Sequence, residues 1–215
     1  MPAVRWPGLG PFVPAMVAPS PRRAIAKRTR TLSSGSGTLT PIPIAERRWR
    51  GALTAALAAY GLWCGLTPER YHWLDALDLP IHETGHLVFM WGGEVLAALG
   101  GTLFQLIVPL AFVWHFAREG DRHAATVPLW WVGQNCWNIA RYVADARAQE
   151  LPLVGGGEHD WTFLLATWGW LPHDQFIAGH IRALGWLIVA GSVWLGWRAL
   201  AQGRTNAEAD GVAAA

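Results

Sequence analysis

Four stretches of this chain, roughly residues 50–66, 101–117, 127–147 and 178–198, stay apolar for close to the length of a membrane span. A spanning helix needs about 20 such residues. Runs of that kind predict an all-α, polytopic membrane helix bundle with about four spanning helices. Composition agrees. Hydrophobic residues make up 52% of the chain and charged ones 15%, against roughly 25% charged in ordinary soluble domains. Fifteen tryptophans suit a bilayer surface, where one end of the ring is apolar and the other wet. A net charge of +2 is too small to argue for a nucleic-acid partner. Cys64 and Cys136 lie in apolar runs and read as small buried hydrophobes, not as a disulfide framework.

The chain divides into a disordered basic tail (1–45), a membrane-embedded domain (46–203) and a second disordered tail (204–215). The first tail is rich in Pro, Arg, Ser and Gly and has no periodicity; it cannot bury enough apolar surface to order itself. A fifth, shorter helix is expected over 80–91. Pro80 suits its first turn, and Gly92-Gly93 should end it. At twelve residues this helix cannot span. It is either one arm of a re-entrant hairpin returning along 94–100, or half of a bent span. Charge favours the hairpin. Arg47, Arg48, Arg50, Arg118, Arg122, Arg198 and Arg204 all fall on the cytoplasmic side when four helices cross and one re-enters. The expectation is an integral membrane protein, of a bacterial inner membrane, with a cytoplasmic N-terminus.

The short helix carries "HETGH", residues 82–86, which is H-E-x-x-H. Positions i and i+4 project from one helix face, so the imidazoles of His82 and His86 can bind one ion. Glu83 stands beside the first ligand, where it can take a proton from water activated by Zn2+. Ionisable groups in an apolar setting are expensive and default to function. A third ligand must come from elsewhere. His159, after a glycine run, is the first choice because it has no local role to explain it. Asp145 and Asp160 are the alternatives, Asp145 having a local ion pair and Asp160 a helix cap as competing explanations. Asp78 is taken as a cap of the motif helix, and Gln105 as a helix-packing residue. Asn135, Asn138 and Arg141 share a polar face and could contact substrate or a developing oxyanion; helix–helix hydrogen bonding is their competing explanation.

At these residues the sequence resembles the site-2 protease family of intramembrane zinc metalloproteases. The resemblance implies His82 and His86 as ligands and Glu83 as catalytic base. No Leu-Asp-Gly segment follows the motif, so the family's aspartate ligand has no counterpart here. The run "NIARYVADARAQELPL", with "HDW" after it, is also similar to a group of uncharacterised bacterial membrane proteins that share the motif.

The expected function is a zinc-dependent membrane metallopeptidase acting on a peptide or membrane-protein substrate beside the lipid bilayer. The alternatives are a membrane zinc hydrolase of a lipid amide or ester, and a non-catalytic zinc-stabilised scaffold. A membrane di-iron oxygenase would need His-His boxes, and no such pair occurs in the sequence.

Overall fold

The computed structural model describes residues 43–154 and 158–213, with side chains through 202. Among these residues there are six α-helices and no strands: α1 (Ile44–Leu66), α2 (Asp75–Phe89), α3 (Glu94–Arg118), α4 (Arg122–Ala144), α5 (Asp160–Thr167) and α6 (Asp174–Ala213). The expectation of a tail over residues 1–45 lies, up to residue 42, outside the described residues; α1 already begins at Ile44. At the other end α6 continues helical to Ala213, through residues expected as a tail.

α4 is the axis of the bundle. Thr54 on α1 meets His123, and Gly61 meets Trp130, so α1 runs parallel to α4. α6 runs antiparallel to it: the Trp137 indole donates to the Arg182 carbonyl, and Gly133 packs on Gly185 and Val189. Neighbours enclose most of α4, and even Gln134 and Asn135 are buried. That enclosure lets a helix with many polar groups sit inside an apolar molecule. The outer helices are the reverse. Ile107, Phe112 and Trp114 of α3, and Leu187, Trp194 and Trp197 of α6, are exposed. α3 and the stretch Leu171–Gln202 are both long and apolar enough to cross a membrane.

Two details differ from expectation. α2 begins at Asp75, five residues early, which puts Pro80 and Asp78 inside the helix. The Asp75 carboxylate takes the His72 backbone N–H, and the Asp75 N–H donates to the His72 carbonyl. This reciprocal closure starts the helix where no Ser, Thr or Asn signals it. The expected break near residue 100 is also absent: α3 is one helix of 25 residues. Gly100 and Gly101 serve packing instead. A methyl group at Gly101 would strike the His82 ring, and Gly85 and Gly100 bring the backbones of α2 and α3 together. Gly92-Gly93 does end the short helix, with Gly93 at φ 88°, a conformation glycine adopts without strain.

Contacts also sort the ends of the bundle. Arg50 pairs with Asp121, and Gly51 faces Trp197 and Leu200. The start of α1, the α3–α4 turn and residues 197–200 of α6 therefore share one end. The motif helix, α5 and the 145–154 loop lie toward the other.

Candidate metal centre

His82 and His86 lie one turn apart on α2, with ring centroids 4.8 Å apart. Their Nε2 atoms stand 3.2 and 3.3 Å from one oxygen, Oδ2 of Asp160. His82, His86 and Asp160 form a group that could hold a metal ion. The spacing fits. Ligand atoms about 2.0–2.1 Å from a tetrahedral zinc stand roughly 3.3–3.4 Å apart.

The far side of each ring explains its orientation. His82 Nδ1 faces Gln105 Oε1 at 3.2 Å, and His86 Nδ1 faces the Ala97 carbonyl at 2.8 Å. Both partners are acceptors, so each Nδ1 carries the proton and each Nε2 turns its lone pair inward. Two lone pairs and a carboxylate oxygen then point at one place. That arrangement repels itself unless a cation lies between them or both rings take a second proton. Burial pushes the Asp160 carboxyl up, whereas imidazoles that take the second proton hold it down, to about 2. Tyr142 adds a hydroxyl donating to the same Oδ2 at 3.3 Å. Behind Gln105, its amide donates to Asn138 Oδ1 at 2.8 Å.

His159, expected first as third ligand, is not in the group. It is the N-cap of α5, and its Nδ1 accepts the Thr162 backbone N–H at 3.3 Å. That use of the Nδ1 lone pair leaves the proton on Nε2, which lies 3.4 Å from Asp145 Oδ2 without hydrogen-bond geometry. With no lone pair free, the ring cannot face an ion. Burial lowers its pKa against the pull of Asp145. Its ring packs on Tyr142, centroid to centroid 4.2 Å, so it supports the tyrosine that touches Asp160.

Asp145 is likewise committed elsewhere. It is the C-cap of α4 and accepts the backbone N–H groups of Glu150 and Leu151 at 2.9 and 3.1 Å. It shapes the loop and anchors His159. Asp160, expected as an alternative third ligand with a cap on a helix starting at Trp161 as its competing explanation, is in the group. The helix starts one residue earlier, and that shift turns the Asp160 side chain toward α2.

An open cavity of about 480 Å3 adjoins the group. His82, Glu83, Asn138, Arg141 and Tyr142 line it, with Leu151 and Leu153 from the loop on one wall. Glu83 and two of the three expected substrate contacts therefore face the same space. Asn135 does not line it; its side-chain amide donates to the Trp131 carbonyl of its own helix at 3.2 Å. Arg141 donates to the Arg70 carbonyl at 2.9 Å and lies 3.7 Å from Asp75. Sequence reading missed the supporting roles of Gln105, Tyr142 and the Ala97 carbonyl. Gln105 left a trace, as the one amide in the apolar run 102–116. The Ala97 carbonyl could leave none. Cys64 and Cys136 are free and buried.

No family model, no curated protein and no solved structure matches this chain.

Proposed function

We propose that the chain is a membrane-embedded, zinc-dependent peptidase that hydrolyses a peptide bond in the groove beside His82, Glu83 and His86. The observation that carries this reading is the convergence of His82 Nε2, His86 Nε2 and Asp160 Oδ2, with Glu83 facing the adjoining cavity. His82, His86 and Asp160 would hold the ion, which when bound supplies a Lewis acid for a carbonyl oxygen and acidifies water. Glu83 takes the proton from the attacking water and returns it to the leaving amine. Asn138 and Arg141, on the same cavity wall, orient the substrate. Gln105 and the Ala97 carbonyl fix both rings in the ligating tautomer. The two-histidine, one-carboxylate set with Glu83 beside it also supports the resemblance to the site-2 proteases, with Asp160 taking the aspartate's part.

The setting is a bilayer. Large apolar side chains of α2, α3 and α6 are exposed, among them Leu87, Trp114 and Leu187, and a lipid phase covers such a surface where water would not. α1 and α4 cross beside α3 and α6. Arginines in the first turns of α1 and the polar side chains of α4 keep these two below the hydropathy of a typical span, but α4 is shielded by its neighbours. Arg50, Arg122 and Arg198 lie toward one end, which is then the cytoplasmic end. The metal centre sits toward the opposite face, on α2, which starts beside the middle of α4 and packs antiparallel to the first half of α3; that direction continues α1 as a bent span and replaces the re-entrant hairpin.

The test is metal content and hydrolysis of full-length protein in detergent. Wild type should bind about one zinc per chain and cleave apolar peptides. Glu83→Gln should keep the metal and lose turnover, by a factor on the order of 10²–10⁴ typical of a general base. Loss of metal in Glu83→Gln, or turnover unaffected by it, overturns the assignment.

A further inference from the structure

Among the described residues, Asp78 is the one group lining the groove that the proposed reaction leaves unused and unbalanced. It lies on α2 one turn before His82 and on the same face as His82 and His86. It is 1% exposed. Its Oδ1 accepts the Trp131 indole N–H at 2.8 Å, while Oδ2 has no hydrogen-bond partner among the described residues. Asp78 lines the same cavity as Glu83 and Arg141.

The other carboxylates there are matched. Glu69 pairs with Arg182 at 3.4 Å, Asp75 faces Arg141 at 3.7 Å and takes the Gln134 amide at 2.8 Å, and Asp160 is shared by two imidazoles. Glu83 serves the reaction. No ion pair joins Asp78 to a cation among the described residues. A buried carboxylate with one oxygen bare is costly unless a donor reaches it or it takes a proton, and burial pushes the Asp78 carboxyl up. The walls around it offer Tyr71, Leu79, Leu151 and Leu153, which suit an apolar body.

We infer that the groove takes a substrate with a protonated amine on an apolar body, and that Asp78 Oδ2 receives that amine. This rests on reading the site as a hydrolytic centre and names the substrate class for it. Four residues of helix separate Asp78 from His82, a rise of about 6 Å. An extended peptide covers about 3.3–3.6 Å per residue. The amine is then the free N-terminus of a peptide, about two residues from the bond presented to the ion.

The experiment measures binding separately from turnover. Full-length Glu83→Gln protein, loaded with zinc in detergent, is titrated calorimetrically with leucyl-leucinamide and with its N-acetyl counterpart. The free amine should bind about tenfold or more tightly than the acetylated form, the range of one charge-assisted hydrogen bond. Adding Asp78→Asn should bring the two within about threefold. Trp131→Phe, which keeps the carboxylate and removes the indole donor, should preserve the preference. So should Glu69→Gln at the exposed rim. Equal binding of the two peptides by the parent, no binding of the free amine at millimolar concentration, or a preference that survives Asp78→Asn overturns the inference. An amine preference that depends on Asp78, in a protein whose Glu83 form cleaves nothing, upholds this inference and overturns the peptidase reading.

Discussion

Arg50 with Asp121 at one end of the bundle, and Asp160 with His82 and His86 at the other, both join distant parts of the chain, but they leave different atoms free. At the first end the donors and acceptors interlock. Both Asp121 oxygens take Arg50 nitrogens at 2.7 Å, and Oδ1 also accepts the Ala124 backbone N–H at 2.9 Å, capping α4. Arg50 reaches Glu46 at 2.7 Å as well, and His123 Nε2 meets the Thr54 hydroxyl at 3.0 Å. Charge meets opposite charge, and no ring nitrogen there converges with another on a common point. At the second end the outward partners, Gln105 and the Ala97 carbonyl, take the ring protons and leave two lone pairs aimed at a carboxylate. The first arrangement holds helices together. The second is balanced only by a cation between the three groups or by further protons on the rings. Histidine beside aspartate is common to both ends, so what distinguishes a site from a staple is where the second ring nitrogen is spent.

The sharpest way to break this contrast is to delete one carboxylate at each end. Asp160→Ala should leave the centre largely empty of zinc, because a ligand of the ion is gone. Asp121→Ala should leave zinc occupancy at the wild-type level. His159→Ala should sit between them: it loses support for Tyr142 and Asp160, and losses of that indirect kind run about 10–100-fold in affinity. The check is metal content of the purified proteins after dialysis against a zinc buffer. If His159→Ala empties the centre as fully as Asp160→Ala, the tautomer argument for His159 fails.

A smaller effect sharpens the comparison from behind the ligands. Gln105→Leu removes the acceptor for His82 Nδ1 and the donor to Asn138. Zinc affinity should fall about 10–100-fold, with the helical circular-dichroism signal unchanged. Gly101→Ala should act in the same direction, since the added methyl group meets the His82 ring. Competition with a chelator of known affinity would read both. Unchanged affinity in both variants would mean that the ring orientation is not set by α3.

These residues also show how far the sequence could be read. His82 and His86 were legible as a pair because their geometry is local: i and i+4 share a face in any helix. The third member, Asp160, was reached only as an alternative to His159, because it depends on where α5 begins. A start at Trp161 makes Asp160 the cap and frees His159; the actual start at Asp160 makes His159 the cap and turns Asp160 inward. One residue of helix decides it, and cap positions are among the least certain features of a sequence. All-helical architecture was legible from the apolar runs, whereas among the described residues hydropathy alone supports crossing for two helices. α4 carries His123, Gln134, Asn135 and Arg141 because neighbouring helices enclose it, and enclosure is a tertiary fact. The separation of 94–100 from the run 101–117 failed for the same reason, at Gly100-Gly101. Glycine pairs mark breaks when nothing packs on them, but here α2 does.

The smallest expected effect belongs to the interlocked end, and pH reveals it. The Arg50 hydrogen bond holds the Asp121 carboxyl below its usual value, against burial, with the Ala124 N–H adding to the shift. A carboxylate with a depressed folded pKa contributes stability that is present above its unfolded value, about 3.9. That contribution disappears as pH falls through the lower folded value. Asp121→Asn keeps a cap but removes the charge, and Asp121→Ala removes both. Because the pair is partly exposed to solvent, the charge should be worth no more than about 1 kcal/mol and the cap about 1 kcal/mol more. In a mild detergent, unfolding by added SDS should place wild type above Asp121→Asn, and Asp121→Asn above Asp121→Ala, at pH 6. Between pH 4 and pH 2 the wild type should converge on Asp121→Asn, while the gap between Asp121→Asn and Asp121→Ala, which carries no titrating group, should persist. High salt at pH 6 should narrow only the first gap. A gap between wild type and Asp121→Asn that stays constant down to pH 2 would show that the Arg50 pair does not depend on the Asp121 charge. The contrast between a closed ion pair and an open ligand set would then lose one of its two terms.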